Sequence, residues 1–196
     1  MPAHRHPLRL DKVYRAILSR IAMGDFRPGT RVSPALLAQR FRVSTTPVRE
    51  ALCRLAGRDI VEERHGDGFY LGVLDEPVIA GLYALHDHVL AQALDKWPAP
   101  ARFRPRRALW ALFAQIGRNS GDRVLADIEA YLADRLHIVR RHERLLIGEM
   151  AATAGTLGEA LCRNDVDAAR NLCRVHHRRC IEAAGRLASF QAAPRP

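Results

Sequence analysis

Apolar residues recur at helical spacing along most of the chain, and a short alternating stretch interrupts them near position 70. The first helical stripe contains Val13, Ile17 and Ile21. Gly24 and then the pair Pro28-Gly29 end this helix, because neither residue type continues a helix well. From residue 75 onward the helical spacing is the only periodic pattern. The chain is therefore predicted to be mainly α, with one small β element.

Two short helices follow the first one, and a serine precedes each of them. Ser33 is a good N-cap because its hydroxyl accepts a hydrogen bond from a backbone N–H, and Pro34 suits the first helical position. Ser44 precedes the next helix, predicted over residues 45–56 and ended by Gly57. Two short helices joined by so tight a turn indicate a helix-turn-helix. The apolar residues expected to face its core are Leu36, Leu37, Ala38, Phe41, Val48, Ala51, Leu52 and Leu55.

The second helix of this pair has another face, which carries Thr45, Thr46 and Arg49. Hydroxyls and a guanidinium at the start of such a helix suit the floor of a DNA major groove. The alternating stretch 69–73 follows a glycine-rich tip and predicts a β-hairpin, or wing. We therefore predict a winged helix-turn-helix DNA-binding domain over residues 1–74. A purely structural module with the same elements is the alternative.

The C-terminal part, residues 75–196, predicts helices only and is interpreted as an antiparallel α-helical bundle. The apolar stripe of its third helix consists of Leu125, Ile128, Leu132, Leu136 and Val139. The predicted helices span residues 76–96, 105–118, 122–143, 145–162 and 166–187.

The net charge of the chain indicates which class of partner it binds. The chain has 31 Lys and Arg against 21 Asp and Glu, a net charge of +10. Residues 1–74 carry +6 of it, in the shorter part of the chain. Such an excess indicates a polyanion partner. No segment approaches the roughly 18–20 apolar residues of a membrane span, and no secretory leader is evident, so we expect a cytoplasmic protein without membrane contact and with reduced cysteines.

Residues 13–73 resemble the winged helix-turn-helix of the GntR family of bacterial transcription regulators. The resemblance is carried by VYRAILSRIAMGDFRPGTRV, LLAQRFRVSTTPVREALCRL and GDGFYL, in this order and spacing. It implies a regulator, expected to be a repressor, that binds a palindromic operator in double-stranded DNA as a homodimer. The DNA-contacting residues that it implies are Arg31, Arg40, Ser44, Thr45, Thr46, Arg49, His65 and Gly66, with Arg31 and Arg40 on phosphates.

The sequence departs from the family's pattern at three places. Thr45 stands where the family usually has Arg, the usual acidic residue near Pro34 is missing, and Asp67 stands where the wing is usually basic. An Arg that grips guanine contributes about 1–3 kcal/mol of base discrimination. We therefore expect an operator that differs from the family's usual one, or weaker binding.

The order of winged helix and helical bundle resembles the FadR subgroup, whose bundle binds effectors and dimerises. The strings LYALHDHVL (82–90) and RNDVDAARNLCRVHH (163–177) carry this resemblance, although the bundle is one helix short. Many members hold a divalent metal with one Asp and three His, and the matching positions here are Leu109, Phe113, Ala154 and His176. One imidazole cannot hold such a metal, so no metal or other cofactor is expected from this resemblance.

One face of the last predicted helix groups Cys173, His176, His177 and Cys180. We interpret them as core or pocket lining, because Cys packs as a small hydrophobe; a metal-responsive or a thiol-responsive regulator is the alternative. His86, Arg135 and His176 form a candidate pocket for a small organic-acid effector, because Arg binds carboxylates bidentately.

An enzyme is not expected. The chain has no G-x-S-x-G, no phosphate-binding glycine loop and no H-E-x-x-H. A non-specific, architectural DNA-binding protein stays the alternative to a sequence-specific regulator.

Overall fold

A computed structural model describes residues 6–98, 103–148 and 150–192 of the chain. These residues form two compact units. The first unit comprises the chain up to Leu74 together with His137–Arg141 and Gln191. The second comprises Asp75–Leu136 and His142–Phe190.

The first unit contains three helices and a three-stranded antiparallel sheet. Its core includes Ile17, Val48 and Leu55, which are fully buried. The elements are α1 (His6–Met23), β1 (Arg31–Val32), α2 (Pro34–Phe41), α3 (Thr45–Ala56), β2 (Val61–Arg64) and β3 (Gly68–Leu71). In the sheet, β3 lies between β1 and β2, and Val61 pairs with Leu71.

The tight turn between α2 and α3 has a clear physical basis. The Ser33 hydroxyl accepts a hydrogen bond from the backbone N–H of Leu36 at 3.3 Å, which caps the start of α2. Arg42 ends α2 in the left-handed region at φ +53°, so the chain turns at once into α3. The predicted helix-turn-helix and wing are confirmed. One detail of the predicted core is wrong: Leu36 is 68% exposed, whereas Leu37 and Ala38 are buried as predicted.

The second unit is built from packed helices. The side chain of Asp75 caps the helix that begins at Glu76, and that of Asp165 caps the helix that begins at Val166. Each accepts a hydrogen bond from a backbone N–H group, at 2.9 and 3.0 Å. Leu90, Leu112 and Phe113 lie at the centre of its apolar core. The helices from residue 75 onward are α4 (Glu76–Asp95), α5 (Leu109–Asn119), α6 (Arg123–Leu136), α7 (Arg140–Ile147), α8 (Met150–Cys162), α9 (Val166–Glu182) and α10 (Ala184–Ala192).

The mainly α fold is confirmed, but four of the predicted helices have a wrong boundary. The helix predicted over residues 105–118 begins only at Leu109. The helix predicted over residues 122–143 is interrupted at 137–139. The helix predicted over 145–162 begins only after Gly148, whose φ of +61° ends α7. The last predicted helix divides at Ala183, where the backbone N–H bonds back to two carbonyls of α9; Gly185 follows two residues later, inside α10.

Helix α6 is also rotated relative to its predicted face. Ile128 was expected in the apolar stripe and is 36% exposed, whereas Glu129 is 3% exposed. Leu132 and Leu136 are buried as predicted. The inward face of α6 therefore carries a carboxyl group beside its leucines.

No single helix among the described residues has both the length and the apolar character to cross a membrane, although α7 and α8 taken together as a bent pair meet that test by length and composition.

Candidate nucleic-acid interface and buried polar cluster

Helix α3 divides sharply into a buried and an exposed face. Val48, Ala51, Leu52 and Leu55 are each 0% exposed, so this face is fixed in the core of the first unit. The face predicted to contact DNA, which consists of Ser44, Thr45, Thr46 and Arg49, is exposed. Within the described chain, the Ser44 side chain makes no capping hydrogen bond to α3. Hydroxyls at the start of this helix are thus available to an external partner.

Arg49 is positioned by the neighbouring sheet. Its guanidinium carbon lies 5.9 Å from the ring centroid of Phe69, a buried residue of β3. This distance is within the range of a cation–π contact. The contact orients the charge of α3 without burying it.

The wing tip combines two glycines in the left-handed region with polar side chains. Gly66 has φ +77° and Gly68 has φ +113°, backbone conformations that side-chain-bearing residues rarely adopt. His65, Gly66 and Asp67 are exposed, as a DNA-contacting wing requires. The Asp67 carboxylate accepts a hydrogen bond from the Tyr70 hydroxyl at 2.7 Å, and this bond raises the pKa of Tyr70.

Arg31 and Arg40, the two predicted phosphate contacts, line one cavity of about 460 Å³ beside the start of α2. Arg40 pairs there with Asp25 at 3.1 Å, and Arg31 is exposed. Arg27 lines the same cavity and was missed by sequence reasoning. Its position four residues before Arg31 was the only indication in the sequence.

The second unit buries a chain of polar groups that joins three helices. His177 Nδ1 lies 2.6 Å from the carbonyl oxygen of Cys173, and His177 Nε2 lies 2.8 Å from Nδ1 of His86. On its other side, His86 Nε2 is 3.6 Å from a carboxyl oxygen of Glu129 on α6. Burial, and then the proximity of His86 and His176, hold the pKa of His177 well below 6.5. Neutral His177 therefore donates to Cys173 and accepts from His86.

A second buried group consists of Glu143, His176 and Cys180, which we name the Glu-His-Cys cluster. Glu143 Oε1 lies 3.1 Å from His176 Nε2 and 3.9 Å from Cys180 Sγ, and the nitrogen and sulfur are 3.6 Å apart. The other oxygen of Glu143 accepts a hydrogen bond from the indole N–H of Trp110 at 3.2 Å. Burial, together with the charge of Glu143, raises the pKa of the Cys180 thiol.

The four residues expected on one face of the last helix are thus divided between two groups. His176 and Cys180 join Glu143, whereas Cys173 and His177 join His86. All four cysteines of the chain are free thiols, with Cys173 and Cys180 buried. Sequence reasoning missed Glu129 and Glu143, because a carboxylate in an arginine-rich helix normally indicates a solvated surface.

The residues of the candidate effector pocket occupy different surroundings. His86 and His176 flank the ring of Phe113 at centroid distances of 5.4 and 5.7 Å, so the structure brings these two histidines together. The Trp110 ring stacks on His86 at 5.2 Å and fills space beside it. Arg135 lies on α6 with its guanidinium over Tyr131 at 6.0 Å. A separate groove of about 530 Å³ is lined by Pro105, Arg106, Arg107, Ala151, Ala154, Gly155, Gly158, Glu159, Cys162 and Arg163.

Comparison with known proteins connects the first unit with a family. Residues 10–71 match the family described as bacterial regulatory proteins, gntR family. A 60-residue segment is 40% identical to the Nta operon transcriptional regulator of Aminobacter aminovorans; the match covers 31% of this chain and 29% of that protein.

Two solved structures share the fold over nearly their full length. E. coli McbR/YncC is 17% identical, with a TM-score of 0.69 over 91% of this chain and 97% of that one. A GntR transcriptional regulator from Rhodococcus sp. RHA1 is 17% identical, with a TM-score of 0.70 over 95% of this chain and 99% of that one. The likeness therefore extends beyond the winged helix-turn-helix to the helical part.

Proposed function

This chain carries the GntR-family winged helix-turn-helix over residues 10–71, and we propose that it is a sequence-specific regulator of transcription that binds double-stranded DNA. The exposed face of α3 carries this proposal. Thr45, Thr46 and Arg49 face outward while the opposite side of the same helix is fully buried. Such a helix is held rigidly and presents hydrogen-bonding groups that suit base edges in the major groove.

The surrounding charges support contact with the DNA backbone. Arg27, Arg31 and Arg40 line one cavity next to α2, and the whole chain carries a net charge of +10. Phosphate contacts from such residues orient a protein on the duplex, and they make its affinity fall with salt concentration. Base discrimination then falls to α3, where Thr45 replaces the family's usual Arg.

The proposal includes a homodimer on a palindromic operator, acting as a repressor. Two winged domains on one face of a duplex read half-sites about 34 Å apart, or a multiple of that spacing. The helical part is proposed to dimerise and to take a small organic-acid effector beside His86, Arg135 and His176. In this scheme the dimer has one state that binds the operator and one that does not. The effector binds these two states with different affinities, so it shifts the population between them and changes operator affinity.

Competitive binding to fragments of the chain's own genome tests the central proposal. A sequence-specific regulator retains a small set of fragments at physiological salt, with an affinity roughly 10³-fold or more above that for random DNA. Retention of all fragments in proportion to their length would instead indicate the architectural DNA-binding protein. The retained fragments also test the palindrome and its spacing.

Thermal unfolding in the presence of small organic acids tests the effector. A ligand at 100 times its dissociation constant stabilises the folded state by about 2.7 kcal/mol, which raises the melting temperature. A screen in which no acid changes the melting temperature would remove the effector from the proposal and leave DNA recognition unaffected.

A further inference from the structure

The Glu-His-Cys cluster brings three kinds of metal ligand to one buried point. Its three donor atoms lie within 4.8 Å of one another. His176 and Cys180 are one turn apart on α9, and Glu143 approaches them from α7. The side chains are at most 4% exposed, so their positions are fixed by packing on every side.

The distances between these atoms are close to the edges of a metal coordination tetrahedron. A tetrahedral zinc with bonds of about 2.0–2.3 Å places its ligand atoms roughly 3.3–3.6 Å apart. In the cluster, the nitrogen–sulfur separation of 3.6 Å falls in this range, the oxygen–nitrogen separation of 3.1 Å is slightly shorter, and the oxygen–sulfur separation of 3.9 Å is slightly longer. We propose that Glu143, His176 and Cys180 form a zinc site, with its fourth position open to water or to a small ligand.

Neighbouring side chains orient the ligands as the outer shell of a metal site does. The Trp110 indole N–H holds Oε2 of Glu143 at 3.2 Å, which leaves Oε1 facing His176 and Cys180. The Phe113 ring lies 5.7 Å from the His176 ring and fixes its plane. Glu143 and His176 thus each have a neighbour that limits the rotation of the side chain.

The three ligand types, carboxylate, imidazole and thiolate, favour zinc over hard divalent metals, and their charges balance that of the ion. Thiolate and imidazole favour Zn²⁺ over Mg²⁺ or Ca²⁺, which prefer oxygen ligands only. On binding, the Cys180 thiol releases one proton to solvent and forms the Zn–S bond, while His176 binds as neutral imidazole. One Zn²⁺, one carboxylate and one thiolate sum to zero, so the buried site leaves no uncompensated charge.

This site shares only His176 with the metal positions of the FadR subgroup, and its other two ligands differ. Those positions correspond here to Leu109, Phe113 and Ala154, which offer no donor atom, and to His176. Glu143 and Cys180 supply what those positions lack. The inference rests on the geometry of the second unit alone and is independent of DNA binding.

Titration of the full-length chain, expressed without a histidine tag and stripped with a chelator, tests the site. Zn²⁺ added in competition with a chromophoric chelator should bind tightly at one equivalent per chain. Co²⁺ in its place should give the near-ultraviolet absorption of a thiolate–cobalt bond. Cys180→Ser should abolish this absorption and weaken zinc binding by more than the roughly 10–100-fold that loss of an outer-shell partner costs.

Cys173→Ser is the matched control, since Cys173 is also buried on α9 but lies outside the cluster. It should keep both the stoichiometry and the cobalt absorption. Glu143→Gln preserves side-chain shape and should weaken zinc binding while keeping the thiolate absorption, which guards against a Cys180 variant that fails to fold. The absence of stoichiometric zinc binding in the parent chain would overturn the proposal. Equal zinc affinity in the parent, Cys180→Ser and Glu143→Gln chains would overturn it as well.

Discussion

Helices α3 and α9 both carry a face of polar residues, and they place those residues in opposite environments. On α3, Thr45, Thr46 and Arg49 are exposed. On α9, His176 and His177 are 4% and 1% exposed. The first helix therefore has its polar groups available to a partner outside the chain, whereas the second uses them to satisfy polar groups inside it.

The comparison shows that polar residues in a helix have two different physical consequences. An exposed hydroxyl or guanidinium contributes little to folding, so such a face is free to be selected for recognition. A buried imidazole contributes through its partners, because a buried polar group without them carries a large desolvation penalty. Changes on α3 should therefore alter binding, and changes around α9 should alter stability.

The largest expected loss of stability follows from replacing a buried histidine of the second unit. His86→Ala removes a ring that stacks on Trp110 and the partner of His177, so it leaves a cavity and an unsatisfied nitrogen. We expect the free energy of unfolding to fall by about 3 kcal/mol. His65→Ala on the exposed wing should change it by less than about 0.5 kcal/mol. Urea unfolding measures the stability of both variants. Equal losses of unfolding free energy would contradict the expectation that buried polar residues stabilise the fold and exposed ones do not.

An acid-dependent loss of stability should follow from His177. Because its pKa in the folded chain is well below 6.5, the unfolded chain binds more protons at acid pH. Stability should therefore fall as pH decreases through the unfolded pKa, by about 1.3 kcal/mol between about pH 7 and about pH 5.5.

Urea unfolding at the two pH values measures this loss, and His177→Gln provides the reference because glutamine does not titrate. A pH dependence that is unchanged in the glutamine variant would assign the effect to other groups.

A smaller difference in stability is expected between replacements of Asp165 and Ser44, which both precede a helix. The Asp165 side chain caps α9, so Asp165→Ala should lower the free energy of unfolding by about 1 kcal/mol. Ser44 precedes α3, where the described chain shows no capping bond from its side chain, so Ser44→Ala should cost less than about 0.5 kcal/mol. Thermal unfolding compares the two variants. A larger loss for Ser44→Ala would mean that this hydroxyl serves the fold.

The first unit was predictable from sequence because its determinants are local. Ser33 caps α2, and Val48, Leu52 and Leu55 repeat at helical spacing within α3. The resemblance to a known family rested on the same stretch. Only side-chain exposure at single positions, such as Leu36, was predicted wrongly.

The second unit was less predictable because its determinants are distant in sequence. Glu129 and Glu143 are buried beside histidines of other helices, and nothing near them in sequence distinguishes them from surface carboxylates. The helix break at Ala183 is followed two residues later by Gly185, but a single glycine within a helical pattern is tolerated, so the sequence alone did not predict the break. The contacts among the buried polar groups of the bundle could therefore be identified only from the packed structure.

Replacement of Arg49 is the sharpest test of the recognition helix, because Arg49 is the basic group among the exposed residues Ser44, Thr45, Thr46 and Arg49. On a genomic fragment retained by the parent chain, Arg49→Ala should remove about 1–3 kcal/mol of preference over random DNA, or roughly 5–150-fold. Arg123→Ala, which removes the same charge from a side chain 93% exposed on α6, should leave that preference unchanged. An Arg49→Ala chain that keeps its full preference for the fragment would contradict the assignment of α3 as the recognition helix.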